Sequence, residues 1–341
     1  MKNVTRAPVL GAIYLAIFGI SPLALASNVV FTHEPLESIE VKNDTLFPEG
    51  ITYNPRSDRF ILGSFRQGAI FDVDKNGNTQ KIIEDERLHS VLAVRIDTVR
   101  NKLLVLTSDL GASIKTSPKA VKHYAALATY DLSSGKPLQF VDLSKILPDS
   151  EHLVNGMTLD NDGHAYITDS FAAAIYKVDN KGVASLFLQN DAFKGKGINL
   201  NGIIYHPNGY LMTVKKSNGA LYKIPLNQPE NFSVVKSDDQ YIGADGLILA
   251  KNNEVIIIAN RALGHNTDAA FSVHSNDEWQ TMKTTGQYPF GNVYPTTGVI
   301  KNGALYVVYT KLNRLVSAPP SEKQNLRQNP VIEYIGSVKP D

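Results

Sequence analysis

One short motif constrains this chain more than anything else in it. An acidic or amide residue, then Gly, then an apolar strand, returns along most of its length. Glu49-Gly50-Ile51, Asn155-Gly156-Met157, Asn201-Gly202-Ile203 and Asp245-Gly246-Leu247 are full copies. Thr297-Gly298-Val299 carries Thr in the first place, and Val94-Arg95-Ile96 is a degenerate copy without the Gly. The copies recur at intervals of roughly 40–50 residues, with a longer gap after the second, which is the period of propeller blades. The stretch His152 to Asp179 shows what one copy contains. A strand from Met157 meets the turn Asp160-Asn161-Asp162-Gly163, a second strand runs from Ala165, and a third from Ala174 reaches the turn at Asn180 to Gly182. Asn, Asp and Gly at these turns tolerate the left-handed backbone that tight hairpins need, so each copy reads as an antiparallel meander. The pattern predicts an all-β chain, a six-bladed β-propeller with four-stranded antiparallel blades around a central channel.

Composition fits a large buried core, since 43% of the 341 residues are hydrophobic. A formal net charge of +1, with no long acidic or basic run, argues against a nucleic-acid partner. At the N-terminus, Lys2 and Arg6 flank an apolar run from Ala7 to Ile20, followed by Ala24-Leu25-Ala26. This is the layout of a secretory signal, with cleavage expected after Ala26. Residues 27–341 then form one propeller domain in the periplasm or outside the cell, free of the membrane and expected as a monomer. The chain has no Cys, which excludes disulfides, thiolate nucleophiles and zinc–thiolate sites. At the two ends, Ser38 to Val41 and Val331 to Val338 are both candidates for the strand that closes the ring on blade six.

In a propeller the inner strand of each blade lines the channel, so the first residue of each motif belongs to one ring: Glu49, Val94, Asn155, Asn201, Asp245 and Thr297. Four of these carry oxygen donors, which are costly to bury unless something satisfies them. A hard divalent cation does so, and Ca²⁺ accepts six to eight oxygens at about 2.3–2.6 Å. Glu49, Asn155, Asn201 and Asp245 are therefore the candidate metal ligands, their two carboxylates matching a divalent charge. An isolated Asn-Gly or Asp-Gly pair is ordinarily a hairpin turn, but here the hairpin turns lie elsewhere, at Asp162-Gly163 and Asn208-Gly209.

A second ring is expected where each second strand ends, at Ser64, Ser108, Asp169, Lys215, Asn260 and Lys311. Asp169 and Lys215 are expected to pair beside the cation, or Lys215 to meet an anionic substrate group. Lys215, Asp169, Asn260 and Thr297 are thus the substrate-contact candidates. His152 and His265 lie within reach of the same pocket, although packing or surface roles suit them better. Two polar segments, Asp109 to Tyr124 and Arg261 to Tyr294, read as solvated loops or as lids over the channel mouth.

These residues carry a resemblance. Pro48-Glu49-Gly50 followed by Asn155-Gly156, Asn201-Gly202 and Asp245-Gly246 is similar to the pattern of the gluconolactonase, regucalcin and senescence-marker-protein family of six-bladed propellers, over about 250 residues from Phe47. Diisopropylfluorophosphatases and paraoxonases are similar at the same four places. The resemblance implies a Ca²⁺ or other divalent ion at the channel mouth and hydrolysis of a lactone, ester or phosphoester, with Asp245 both ligand and catalytic base or nucleophile. Such an ion polarises a carbonyl and acidifies a bound water, and a nearby carboxylate can take the proton. Val94 and Thr297 stand where some relatives carry His, so a His-based mechanism is not expected here. The competing reading is a non-catalytic binding or scaffold propeller with a structural ion.

Overall fold

The second strand of each blade is apolar on both faces, as in Arg59–Ser64 (RFILGS), Lys102–Ser108 (KLLVLTS) and Glu254–Ala259 (EVIIIA), and almost every residue in them is buried. A strand of that kind needs cover on both sides, which stacked neighbouring sheets provide. The outer strands, such as Thr79–Glu84 and Ala184–Gln189, are far more exposed, with one buried residue each. The computed structural model of the protein describes residues 29–32, 38–250, 254–262 and 264–339. The expected secretory signal falls outside these residues.

The strands form six antiparallel sheets. Their inner strands, Pro48–Asn54, Ser90–Asp97, Val154–Leu159, Leu200–His206, Ala244–Leu249 and Pro295–Lys301, touch one another in sequence, and the last returns to the first. The fold is a six-bladed β-propeller. Its core lies between blades: Ile204, Met212 and Val214 of blade four pack with Leu247, Ile257 and Phe271 of blade five. Among the described residues no helix is long and apolar enough to cross a membrane.

Both ends of the chain build blade six. Its third strand is Val331–Val338, and onto it pair Val29–Phe31 (Val29 opposite Val338) and Ser38–Glu40 (Ser38 opposite Glu333). The backbone N–H of Val29 also donates to the buried Glu254 of blade five at 3.1 Å. This mixed closure leaves the ring without a free inner edge.

The two polar segments expected as loops or lids differ. Arg261 to Tyr294 is mostly blade five itself, with strands Ala269–His274 and Lys283–Pro289, and Trp279 is buried in the core between blades four and five. The residue that segment contributes to the mouth is Tyr294. Asp109 to Tyr124 does reach the mouth, through Leu110 and Ala112.

Every inner strand slips register by one residue near its start. The bulge falls between Pro48 and Ile51, Val91 and Ala93, Val154 and Met157, Leu200 and Ile203, Ala244 and Gly246, and Pro295 and Thr297. A bulge re-aims a side chain, and here it turns one residue per blade toward the axis. In blades two and six that residue is Leu92 and Thr296, where the sequence pointed to Val94 and Thr297. The Gly marks the bulge only where the motif is complete; blade two has none, and in blade six it stands one residue late.

The Gly that follows the bulged residue is needed for close approach. A Cβ at Gly202 would stand 2.5 Å from the Asp245 carbonyl oxygen and 2.6 Å from the Leu247 nitrogen, and one at Gly156 would stand 2.3 Å from the Asn201 carbonyl oxygen. These are backbone atoms of the next blade, so the ring cannot relax locally. Gly202→Ala is expected to destabilise the protein by about 1–3 kcal/mol through overpacking, read as a lower urea midpoint with unchanged slope.

Candidate active site at the channel mouth

The bulged residues Glu49, Leu92, Asn155, Asn201, Asp245 and Thr296 all line one cavity of about 170 Å³ at the mouth of the channel. The four predicted oxygen donors therefore converge, as the ring reading required. Thr296 adds a hydroxyl that donates to the Glu49 backbone carbonyl at 2.7 Å, locking blade six to blade one at the level of the site. Thr297 lines the channel one step deeper.

At the centre of the polar floor is a residue the sequence reading missed. The Lys216 ammonium donates to Asp245 Oδ2 and to Asn260 Oδ1, each at 2.6 Å, and the Asn260 amide donates to the same Asp245 oxygen and to the Pro295 carbonyl. Lys216 is 4% exposed and Asn260 fully buried. Burial alone would lower the Lys216 pKa. The facing Asp245, helped by Tyr294 and Glu49, outweighs that and holds it above the usual lysine value. The ammonium also lies 5.3 Å from the centroid of the Tyr294 ring, within cation–π range.

Lys215, the predicted residue, points the other way. Its ammonium is tied to the carbonyl oxygens of Ala192 and Lys194. Adjacent residues of an extended chain face opposite sides, so a one-residue slip exchanges which amine enters the site. The second ring is displaced by one residue forward in blades one, three and four and one residue back in blade six: the residues at this level are Phe65, Ser108, Ser170, Lys216, Asn260 and Thr310. Several reach forward to the next blade. Ser108 Oγ accepts the Val154 N–H at 3.1 Å, and Ser170 Oγ donates to the Leu200 carbonyl while accepting from the Asn155 amide at 3.3 Å.

Asp169 does not meet Lys215. It is fully buried and caps its own turn, accepting from the N–H groups of Leu153, Phe171 and Ala172, from the Tyr176 hydroxyl and, at 2.7 Å, pairing with His152 Nδ1. His152 is thereby a structural residue, and His265 is exposed.

Glu49 is unlike Asp245. Its carboxyl makes no hydrogen bond among the described residues, and burial, then the charge of Asp245, push its pKa well above the ordinary glutamate value, with Lys216 offsetting only part. Two carboxylates in one ring thus have different characters, one ion-paired and one held toward the neutral acid.

Above the polar floor the walls are apolar: Phe65, Leu92, Leu110, Leu153, Ile198 and Leu312. The roof is the connection between the second and third strands of blade six, with the helix Leu312–Ser317. Arg66 pins it by donating to the carbonyls of Leu326 and Gln324 at 2.8 and 2.7 Å, and Lys323 reaches the Gly111 carbonyl at 2.9 Å. Nothing in the blade repeat announces this helix, since it belongs to one blade only.

Away from the axis, Asp160, Asp162 and His164 bring three ligand-type atoms within 4.8 Å of one another and could hold a metal. Asp160 there already accepts from the N–H groups of Asp162 and His164, from the Tyr166 hydroxyl and from the His164 ring, which is the pattern of a self-capped turn.

No protein-family model matches the sequence, and no curated protein matches it. Solved structures match in fold. The Malassezia sympodialis major allergen Mala s 1 superposes with a TM-score of 0.67 at 16% identity, over 88% of this chain and 96% of the allergen. The calcium-binding protein regucalcin from Agrobacterium tumefaciens gives 0.62 at 14%, over 90% and 96%. A luciferin-regenerating enzyme gives 0.58 at 10%, over 90% and 99%. An allergen, a calcium-binding protein and an enzyme share this architecture, so the likeness establishes the propeller and leaves the chemistry to the site.

Proposed function

We propose that the protein is an exported hydrolase of small lactones or esters, dependent on a divalent cation, most simply Ca²⁺, and working at the channel mouth. The reading rests on one observation: a polar floor of Glu49, Asn155, Asn201, Lys216 and Asp245 beneath an apolar-walled cavity of about 170 Å³. A ligand that fits carries an apolar body and a single polar, reactive end. That favours a lactone or ester over a phosphoester dianion.

The donor set suits a hard cation at Glu49, Asn155 and Asn201. Glu49 in particular has only the partial compensation of the Lys216 charge, and an all-oxygen set of carboxylate and carboxamides is what Ca²⁺ takes. Asp245 completes the set with its second oxygen, because Oδ2 is held by Lys216 and Asn260. Such a cation supplies Lewis-acid polarisation of the carbonyl. The chain's own groups divide the remaining work. Lys216, fixed by Asp245 and Asn260, presents a positive charge and an N–H toward the oxygen that becomes negative in the transition state. Glu49, whose carboxyl makes no hydrogen bond among the described residues, is the group left to take a proton from water. Asp245, expected from sequence to be the base, serves better as ligand and as anchor for Lys216. Leu92, Leu153 and Phe65 exclude bulk water around the reacting end.

Glu49→Gln is expected to lower kcat by about 10²–10⁴-fold while leaving apolar ligands bound, in a screen of lactones and aryl esters run with and without chelator. The same variant tests the charge state. Because the folded protein holds Glu49 at a raised pKa, the stability contributed by its neutral form is complete below the ordinary glutamate pKa and is lost as pH rises through the raised value. In chelator, then, the variant should match wild type in acid and exceed it in alkali. Unchanged turnover in Glu49→Gln removes Glu49 as the base, chelator-independent turnover removes the cation, and no turnover of any lactone or ester defeats the hydrolase reading. A second reading, a non-catalytic binding propeller, is favoured by the Lys216–Asp245 pair, which neutralises Asp245 with no ion at all; ligand binding without turnover across the panel would select it.

A further inference from the structure

We propose that the channel below the mouth holds a second site, specific for a small oxyanion, built around Arg95. The inner strands descend from the mouth, and three residues below the ring, about 10 Å along each strand, the six blades present Thr52, Arg95, Thr158, Ile204, Ile248 and Val299. All six line the axial cavity, whose volume is about 350 Å³. The polar three come from consecutive blades, one to three, so a guanidinium stands between two threonines on one wall while the opposite wall is apolar.

Arg95 has no anion of its own. Its Nη2 donates to the Met157 carbonyl at 3.0 Å, which ties it across to blade three, and no carboxylate pairs with it among the described residues. Burial is the influence acting on it, lowering its pKa from the ordinary guanidinium value, with no acidic group offsetting that. An arginine has five N–H donors and keeps its charge in any protein setting. One of the five is spent on Met157, which leaves four on a guanidinium that belongs to the channel lining. Thr158 Oγ accepts the Tyr205 N–H at 3.0 Å, so its own proton is available to donate. Thr52 is 7% exposed and its hydroxyl makes no hydrogen bond among the described residues.

A half-buried cation lining a channel without a counter-charge has donors to spare for an anion. Elsewhere in this chain buried cations spend their donors in pairs, Lys216 on Asp245 and Asn260, Lys215 and Arg66 each on two backbone carbonyls, whereas one contact is recorded for Arg95. A fork of N–H donors flanked by hydroxyls matches the oxygens of phosphate, sulfate or a carboxylate, which it can take in a bidentate manner. The carboxylates at the mouth belong to the other end of the cavity, and the site needs neither a cation there nor turnover. It therefore stands or falls independently of the hydrolase reading.

The test is thermal unfolding of the full chain titrated separately with inorganic phosphate and with acetate, at constant ionic strength made up with chloride. Wild type is expected to melt at rising temperature with at least one of the two, and which one identifies the source of the oxyanion. Arg95→Met is expected to lose that response, raising the half-saturating concentration at least about tenfold, while melting without oxyanion no lower than wild type because an unpaired charge has been removed. Equal responses in the two proteins, or none in wild type, overturn the site. Should Arg95→Met fail to fold, wild-type crystals soaked in selenate decide: an anomalous peak within hydrogen-bond distance of the guanidinium supports the site, and its absence overturns it.

Discussion

Lys216→Met is expected to cost about 3–5 kcal/mol of stability when divalent cations are chelated. The substitution keeps most of the apolar stem and removes only the charge. Asp245 Oδ2 then retains the Asn260 amide alone, and the charges of Asp245 and Glu49 repel each other where water is largely excluded. At about 4 Å and an effective dielectric of 20, a pair of unit charges interacts by about 4 kcal/mol, so the lost attraction is of the size of the expected penalty. Two further measurements separate this account from a general packing defect. Adding Asp245→Asn to Lys216→Met should recover much of the loss, since removing both members of a buried pair is far milder than removing one. Saturating Ca²⁺ should raise the melting temperature of Lys216→Met more than that of wild type, because the ion takes over the vacated positive charge. A single variant as stable as wild type in chelator would show that the ammonium is not what holds Asp245 in place.

Asp169→Ala should be at least as damaging, by about 4 kcal/mol or more, although no substrate contact is lost. Its carboxylate takes three backbone N–H groups, a tyrosine hydroxyl and a histidine ring in the interior. Leaving even two or three such donors unpaired costs about 1–3 kcal/mol each. Asp169→Asn keeps one acceptor oxygen and should fall in between. Urea unfolding of the two variants orders them; a loss below about 1 kcal/mol for Asp169→Ala would return Asp169 to the list of ligand-facing residues, since only water-exposed carboxylates are so cheap to remove.

Much of the fold was legible because the physical need repeats. A residue before Gly at Glu49, Asn155, Asn201 and Asp245 marks the bulge where one blade crowds the next, and only Gly fits beside the neighbouring backbone. Where that need is met without Gly, as at Leu92, or with Gly displaced, as after Thr296, the motif misplaces the ring by one or two residues. Lys215 and Lys216 show the limit more sharply. Composition says that a lysine ends this strand, and only the register says which of two neighbours looks inward. The roof helix Leu312–Ser317 could not be read at all from the repeat, because it answers to the cavity below it and not to the blade. The partnership of Asp169 with His152 was equally hidden, since a carboxylate capping a turn and one awaiting a ligand look alike in sequence.

Blade six has a consequence for how the molecule comes into being. Val29 waits for Val338, and Ser38 for Glu333, so the pairing that shuts the circle joins segments separated by nearly the whole polypeptide. Five sheets can stack on one another first while the flanks of blades one and five stay sticky, and the last strand must find both the second strand of its own blade and the N-terminal part of the chain. Contacts of such range are slow to form and leave apolar surface uncovered in the interval. A folding chain of this kind is most exposed to misassociation just before blade six closes.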